Sequence, residues 1–139
     1  MNASTKKILY TAKVHTAGGR DGGVSRSNDG RIDLTHTAPG KPGNGTNPEQ
    51  LLAAGWSACF QGAMGLVAGK MKVALPAETA IDAEVDLCSG SDGFSLQARL
   101  NVGVPGLPRD VAQALIDEAR LICPYSKALH DIPVTYTLV

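Results

Sequence analysis

The residues of this chain best able to do covalent chemistry are its three cysteines, Cys59, Cys88 and Cys123. A cysteine reacts as its thiolate, and an unperturbed thiol with a pKa near ~8.5 is mostly protonated at neutral pH. A reactive cysteine therefore needs a cation, a base or a helix N-terminus close by. Cys59 lies too far into its helix for the last of these, about ten residues or roughly 15 Å past the N-terminus at 1.5 Å per residue. Arg20 is the best cation to supply the charge, since a guanidinium stays charged and offers a fixed fork of donors. It sits in Gly18-Gly19-Arg20-Asp21-Gly22-Gly23, where the glycines permit positive φ and close backbone approach. The same loop also reads as a plain solvated turn. Glu49, in the first turn of the helix, is suited to orient the arginine. Arg20, Glu49 and Cys59 thus form a candidate site, although sequence alone does not bring them together.

Cys123 admits two readings. Before Pro124, at a broken helix end, it could condense with a sulfenic acid on Cys59 to give a disulfide. It could equally fill an apolar stripe beside Ile122. Cys88 falls on the polar phase of a strand, pointing to solvent or an edge, and reads as a bystander. No Cys-x-x-Cys occurs, so a tetrahedral zinc site has little support. His15, His36 and His130 match no catalytic pattern and are expected at the surface.

The elements that must hold these residues follow from local signals. Asn47 is a favoured N-cap, Pro48 suits the first helical position, and Gln50 can close a capping box. A helix is predicted from there to about Gly69. Its packed face is read as Leu51, Leu52, Gly55, Ala58, Cys59, Gly62, Ala63 and Leu66. Alternation predicts strands over Lys7–Thr16, Val24–Asn28 and around Ile32 and Leu34, with a turn at Asp29-Gly30. Two longer strands follow, one through Ile81, Ala83, Val85 and Leu87, one from Phe94 to Val104. Pro108 opens a second helix with the stripe Val111, Leu115, Ala119 and Ile122, and Pro124 ends it. A short helical piece over Ser126–His130 and a last strand through Val134, Tyr136 and Leu138 complete the order. The expected fold is α+β, two three-stranded antiparallel sheet segments around two central helices. The small residues Ala53, Ala54, Gly55, Ala58, Gly62, Ala63 and Gly65 permit close helix–helix contact, which points to a homodimer.

Length and charge bound the function. The 139 residues suit a single domain, 1–139, with a real core. Thirteen basic and thirteen acidic residues give zero net charge, so neither nucleic acid nor an anionic membrane is an expected partner. No apolar run is expected to reach the roughly 20 residues of a membrane span. Met1–Lys7 lacks the apolar stretch of a signal peptide, and the expected compartment is the cytoplasm.

Several stretches together resemble the organic hydroperoxide resistance proteins of the OsmC-like superfamily. They are Tyr10-Thr11-Ala12, Gly18-Gly19-Arg20-Asp21-Gly22, Gly45-Thr46-Asn47-Pro48-Glu49-Gln50-Leu51, Ala53-Ala54-Gly55, Ser57-Ala58-Cys59-Phe60, Gly62-Ala63-Met64, Lys72-Val73-Ala74-Leu75-Pro76 and Cys123-Pro124-Tyr125-Ser126. The resemblance covers nearly the whole chain in order. It implies a cysteine-based peroxidase that reduces alkyl and fatty-acid hydroperoxides. In it Cys59 matches the peroxidatic and Cys123 the resolving cysteine, and Arg20 and Glu49 match the pair that holds the thiolate. It further implies an intertwined homodimer with two interfacial active sites, recycled by a dithiol such as a lipoylated protein, without metal or flavin. Trp56 stands where tyrosine or another aromatic is expected, and Cys88 matches no family position. A redox sensor forming the same disulfide without rapid turnover is the alternative. A thiol hydrolase ranks last, for want of a histidine base near Cys59.

Overall fold

The computed structural model describes residues 5–139. They divide into two compact units, one up to Pro48 and one from Glu49 to Val139. The first unit carries three short strands, β1 (Val14–Ala17), β2 (Val24–Ser27) and β3 (Asp33–Thr35), in an antiparallel sheet of that order. The strand expected over Lys7–Thr16 is thus confined to its last residues. Ile8, Leu9 and Tyr10 are all more than three-quarters exposed: alternation marks a chain able to enter a sheet, and no described strand pairs with this segment. The β1–β2 connection is the glycine loop, with Gly18, Gly19 and Gly22 at positive φ. A side chain at Gly23 would run into the carbonyl oxygens of Gly19 and Ala17, so only glycine fits there. The β2–β3 turn falls at Asp29-Gly30 as expected. Asp29 accepts from the Ser27 hydroxyl at 2.6 Å and the Arg31 N–H at 3.0 Å, and the Ser27 bond above all lowers its pKa.

His36 corrects the expectation of a surface residue, for it is buried. Its Nε2 pairs with Ser25 Oγ at 2.7 Å, which in turn meets Thr16 Oγ1 at 2.7 Å. Its backbone brackets the glycine loop: Gly22 N–H donates to the His36 carbonyl and His36 N–H to the Gly23 carbonyl. His15 and His130 are exposed as expected.

The second unit runs α1 (Pro48–Met71), β4 (Ala80–Gly90), β5 (Gly93–Gly103), α2 (Arg109–Ile122), α3 (Pro124–Ala128) and β6 (Val134–Leu138). β4 and β5 form a long antiparallel hairpin. β6, however, pairs parallel to β5, with Ala98 opposite Val134 and Val102 opposite Leu138. The all-antiparallel expectation is corrected at this one pairing. The chain leaves β5, crosses through α2 and α3, and returns in the same direction, which is the connection a parallel pair requires.

The core joins Trp56, Phe60, Ala63 and Met64 of α1 to Ala98, Leu100 and Val102 of β5, Ala112, Ile116 and Ala119 of α2, and Cys123. The α1 face is therefore not the expected one: Leu51 is 38% and Leu66 65% exposed, while Trp56, Phe60 and Met64 are fully buried. Between Gln50 and Gly69 no residue is charged, so periodicity had no polar side against which to define a face. That also overturns the expected absence of a long apolar run: α1 is long and apolar enough, by length and composition alone, to cross a membrane. The α2 stripe is likewise rotated, to Ala112, Leu115, Ile116 and Ala119, leaving Ile122 38% exposed.

Candidate active site: a hydrogen-bonded thiol pair

Pro124 stops α2 where expected. The residue before a proline is pushed out of the α region, and Cys123 is extended at φ −65°, ψ 121°. It caps α2 and starts α3 at once, and its side chain turns fully into the core. Cys59, in the middle of α1, is half-buried against the same core. The two thiols are hydrogen-bonded neighbours, and the Tyr125 backbone N–H also points at the Cys59 sulfur. Both cysteines are free thiols. Burial pushes the Cys59 pKa up; the Tyr125 N–H opposes this, and the Cys123 thiol adds to the rise. Among the described residues, the groups that act most on this thiol are Tyr125 and Cys123.

α3 has only five residues, too few to hold itself together, so its contacts with α1 and β6 place it. Tyr125 lies over Gly55: a Cβ there would meet the Tyr125 hydroxyl at 2.5 Å. The buried Ser126 Oγ accepts from Trp56 Nε1 at 3.0 Å and from the Tyr136 hydroxyl at 2.9 Å. An apolar cleft of about 380 Å³ opens beside this turn, lined by Leu52, Pro124, Tyr125, Ala128 and Leu129.

The other expected residues are placed each within its own unit. Arg20 is exposed in the glycine loop of the first unit, and Glu49 is half-buried at the second position of α1. Glu49 stands about 15 Å along the helix axis from Cys59, at 1.5 Å per residue, so the two do not touch within one chain. Cys88 is half-buried on β4, an edge strand. No three His, Cys, Asp or Glu side chains gather as a metal site among the described residues.

The profile of the OsmC-like protein family matches residues 40–137. The chain is 43% identical over 140 residues to the organic hydroperoxide resistance protein of Xanthomonas axonopodis pv. citri, covering 98% of this chain and 99% of that protein. The chain belongs to the OsmC-like family, among its organic hydroperoxide resistance proteins. To OhrB of Bacillus subtilis, also an organic hydroperoxide resistance protein, it is 42% identical over 125 residues, covering 86% of this chain and 90% of that one. The crystal structure of OhrB superposes with a TM-score of 0.89 at 38% identity, over 95% of this chain and all of that one. A Legionella pneumophila organic hydroperoxide resistance protein gives 0.88 at 36% identity, over 95% of this chain and 98% of that one. The α+β arrangement of two three-stranded sheets is thus the family's.

Within this OsmC-like chain, local sequence patterns do not mark Ser126 as the shared acceptor of Trp56 and Tyr136. The signal available was the spacing: Ser126 follows Cys123 by one helical turn, as Cys59 follows Trp56.

Proposed function

We propose that this chain is a thiol peroxidase that reduces organic hydroperoxides to alcohols, with Cys59 as the attacking and Cys123 as the resolving cysteine. The observation that carries it is the pairing of two free thiols, one half-exposed and one fully buried, beside an apolar cleft. The Cys59 thiolate attacks one peroxide oxygen: an S–O bond forms, the O–O bond breaks, and the alkoxide leaves with a proton as alcohol. The Cys123 sulfur then attacks the sulfenic acid sulfur, an S–S bond forms, and the hydroxyl departs as water. Two electrons have passed from the thiol pair to the peroxide. An external dithiol, best supplied by a lipoylated protein, returns them by exchange at the more exposed Cys59. An apolar cleft favours alkyl over hydrogen peroxide, since each buried CH₂ gains about 0.8 kcal/mol.

Arg20 supplies the positive charge that burial makes necessary, and Glu49 orients it. The separation of Glu49 from Cys59 along one helix fits a site completed by a second copy, so that an intertwined homodimer carries two active sites. The exposed small-residue stripe Ala54, Ala58, Gly62 and Gly65 of α1 supports that dimer, as open space surrounds Gly62 and Gly65. The chain works as one domain, 1–139, in the cytoplasm, without metal or flavin.

The raised Cys59 pKa favours a second reading, a sensor that forms the disulfide once and slowly. Substitution separates the steps. Cys59→Ser should abolish peroxide consumption. Cys123→Ser should consume one peroxide per site and then stall as the sulfenic or a higher acid, seen by mass spectrometry. Full turnover of Cys59→Ser would overturn the assignment.

A further inference from the structure

Two contacts join α1 to the start of α3, one at its N-cap and one a turn further on. Trp56 meets Ser126, and three residues on along α1 and three back along the chain, Cys59 meets Cys123. Cys123 is the N-cap of α3 and Ser126 its third helical residue, so what holds Ser126 also holds the helix start from which Cys123 projects. Ser126 Oγ takes two donors from different elements, the Trp56 indole of α1 and the Tyr136 hydroxyl of β6. Both donors are themselves held. Trp56 is fully buried. The Tyr136 ring stacks on Phe60 with centroids 5.4 Å apart, and the Arg120 guanidinium lies 4.5 Å from its centre. The oxygen thereby uses both acceptor sites, and α3 cannot shift without stranding two polar groups in the core.

We infer that Ser126 is a positioning residue for disulfide closure: it holds α3 while the two sulfurs close from hydrogen-bond separation to a bond of about 2.05 Å. The inference rests on the peroxidase reading above and concerns its second step. A disulfide tolerates a narrow range of Cα separation and dihedral, so a loosened α3 spends more time with Cys123 wrongly aimed. Attack of Cys59 on peroxide makes no such demand on Cys123.

The test mixes the reduced full-length protein with one equivalent of cumene hydroperoxide and follows two signals. Peroxide loss reports the first step; loss of the second thiol reports closure. Ser126→Ala should slow closure at least fivefold more than it slows peroxide loss, and dimedone should then trap sulfenic acid on Cys59. Tyr136→Phe keeps the ring and removes one of the two bonds, so it should show the same imbalance, about twofold, even where Ser126→Ala folds poorly. Trp56, the sole tryptophan, gives a second readout, because its emission should change with closure in wild type and lag peroxide loss in Ser126→Ala. Equal slowing of both steps in both variants would overturn the positioning role and leave Ser126 structural. Unchanged closure would overturn it as well. Wild-type protein that consumes peroxide without losing a second thiol would overturn the Cys59–Cys123 reading and this inference with it.

Discussion

Cys59 is under two opposing demands. Its half-buried position lets a substrate reach it on the proposed reading, and the same burial pushes its pKa above that of a free thiol. Within its own unit, the Tyr125 N–H works to lower it, and one neutral donor is a weak offset. The account therefore assigns the missing charge to Arg20. The sign follows directly: a raised pKa means less thiolate at neutral pH and a first step that quickens as pH rises. Removing Arg20 should carry that rise to still higher pH. In a Cys88→Ser, Cys123→Ser background, Arg20→Met should move the midpoint of Cys59 alkylation upward by about one to two pH units. An unmoved profile would show that the arginine does not serve this thiol. At this scale the placement of Cys59 inside a helix and of Cys123 at a helix break was legible, because a proline after one and a capped helix around the other are local facts. His36 was not. Its ring pairs with Ser25 of a neighbouring strand, which Thr16 holds in turn, contacts that no local pattern announces.

The elements repeat the lesson with physical reasons attached. The start of α1 at Pro48, the β4–β5 hairpin and the break at Cys123 all rest on residues within a few positions of each other, and the structure has them where the sequence puts them. The face of α1 and the direction of β6 are settled by what packs against them. An uncharged helix presents no wet side to read, and a strand's own residues do not record whether its partner runs alongside or against it. On the outer face of β4 and β5, Arg99 pairs with Glu84 at 2.6 Å and with both oxygens of Asp86 at 2.8 Å. Arg99, and after it Gln97, holds the Asp86 pKa down to about 2. A carboxylate depressed in the folded state stabilises above its unfolded pKa, near ~3.9, and loses that contribution as pH falls through the folded value. Acid titration of wild type should show this loss between roughly pH 4 and pH 2. Arg99→Met should flatten stability across that window; an identical acid limb would contradict the pairing.

For the whole molecule, the exposed apolar residues ask for a partner. Leu66 at 65% exposure and the glycines and alanines beside it on α1 leave a smooth apolar strip uncovered, more than a lone protomer usually shows to water. Ile8, Leu9 and Tyr10 in the first unit add a second such stretch. A second copy is the economical cover, and on the proposed reading it would also let Glu49 serve a cysteine other than the one about 15 Å further along its own helix. Sedimentation should return a species of twice the 14.4 kDa chain mass; a stable monomer would remove both arguments. The central claim concerns turnover. The most direct test is steady-state consumption of cumene hydroperoxide, set against hydrogen peroxide, with dihydrolipoamide and then thioredoxin as the reductant. The account predicts sustained turnover with the organic substrate and the lipoyl dithiol, and much slower consumption of hydrogen peroxide. One equivalent consumed per site, with no turnover under either reductant, would contradict it.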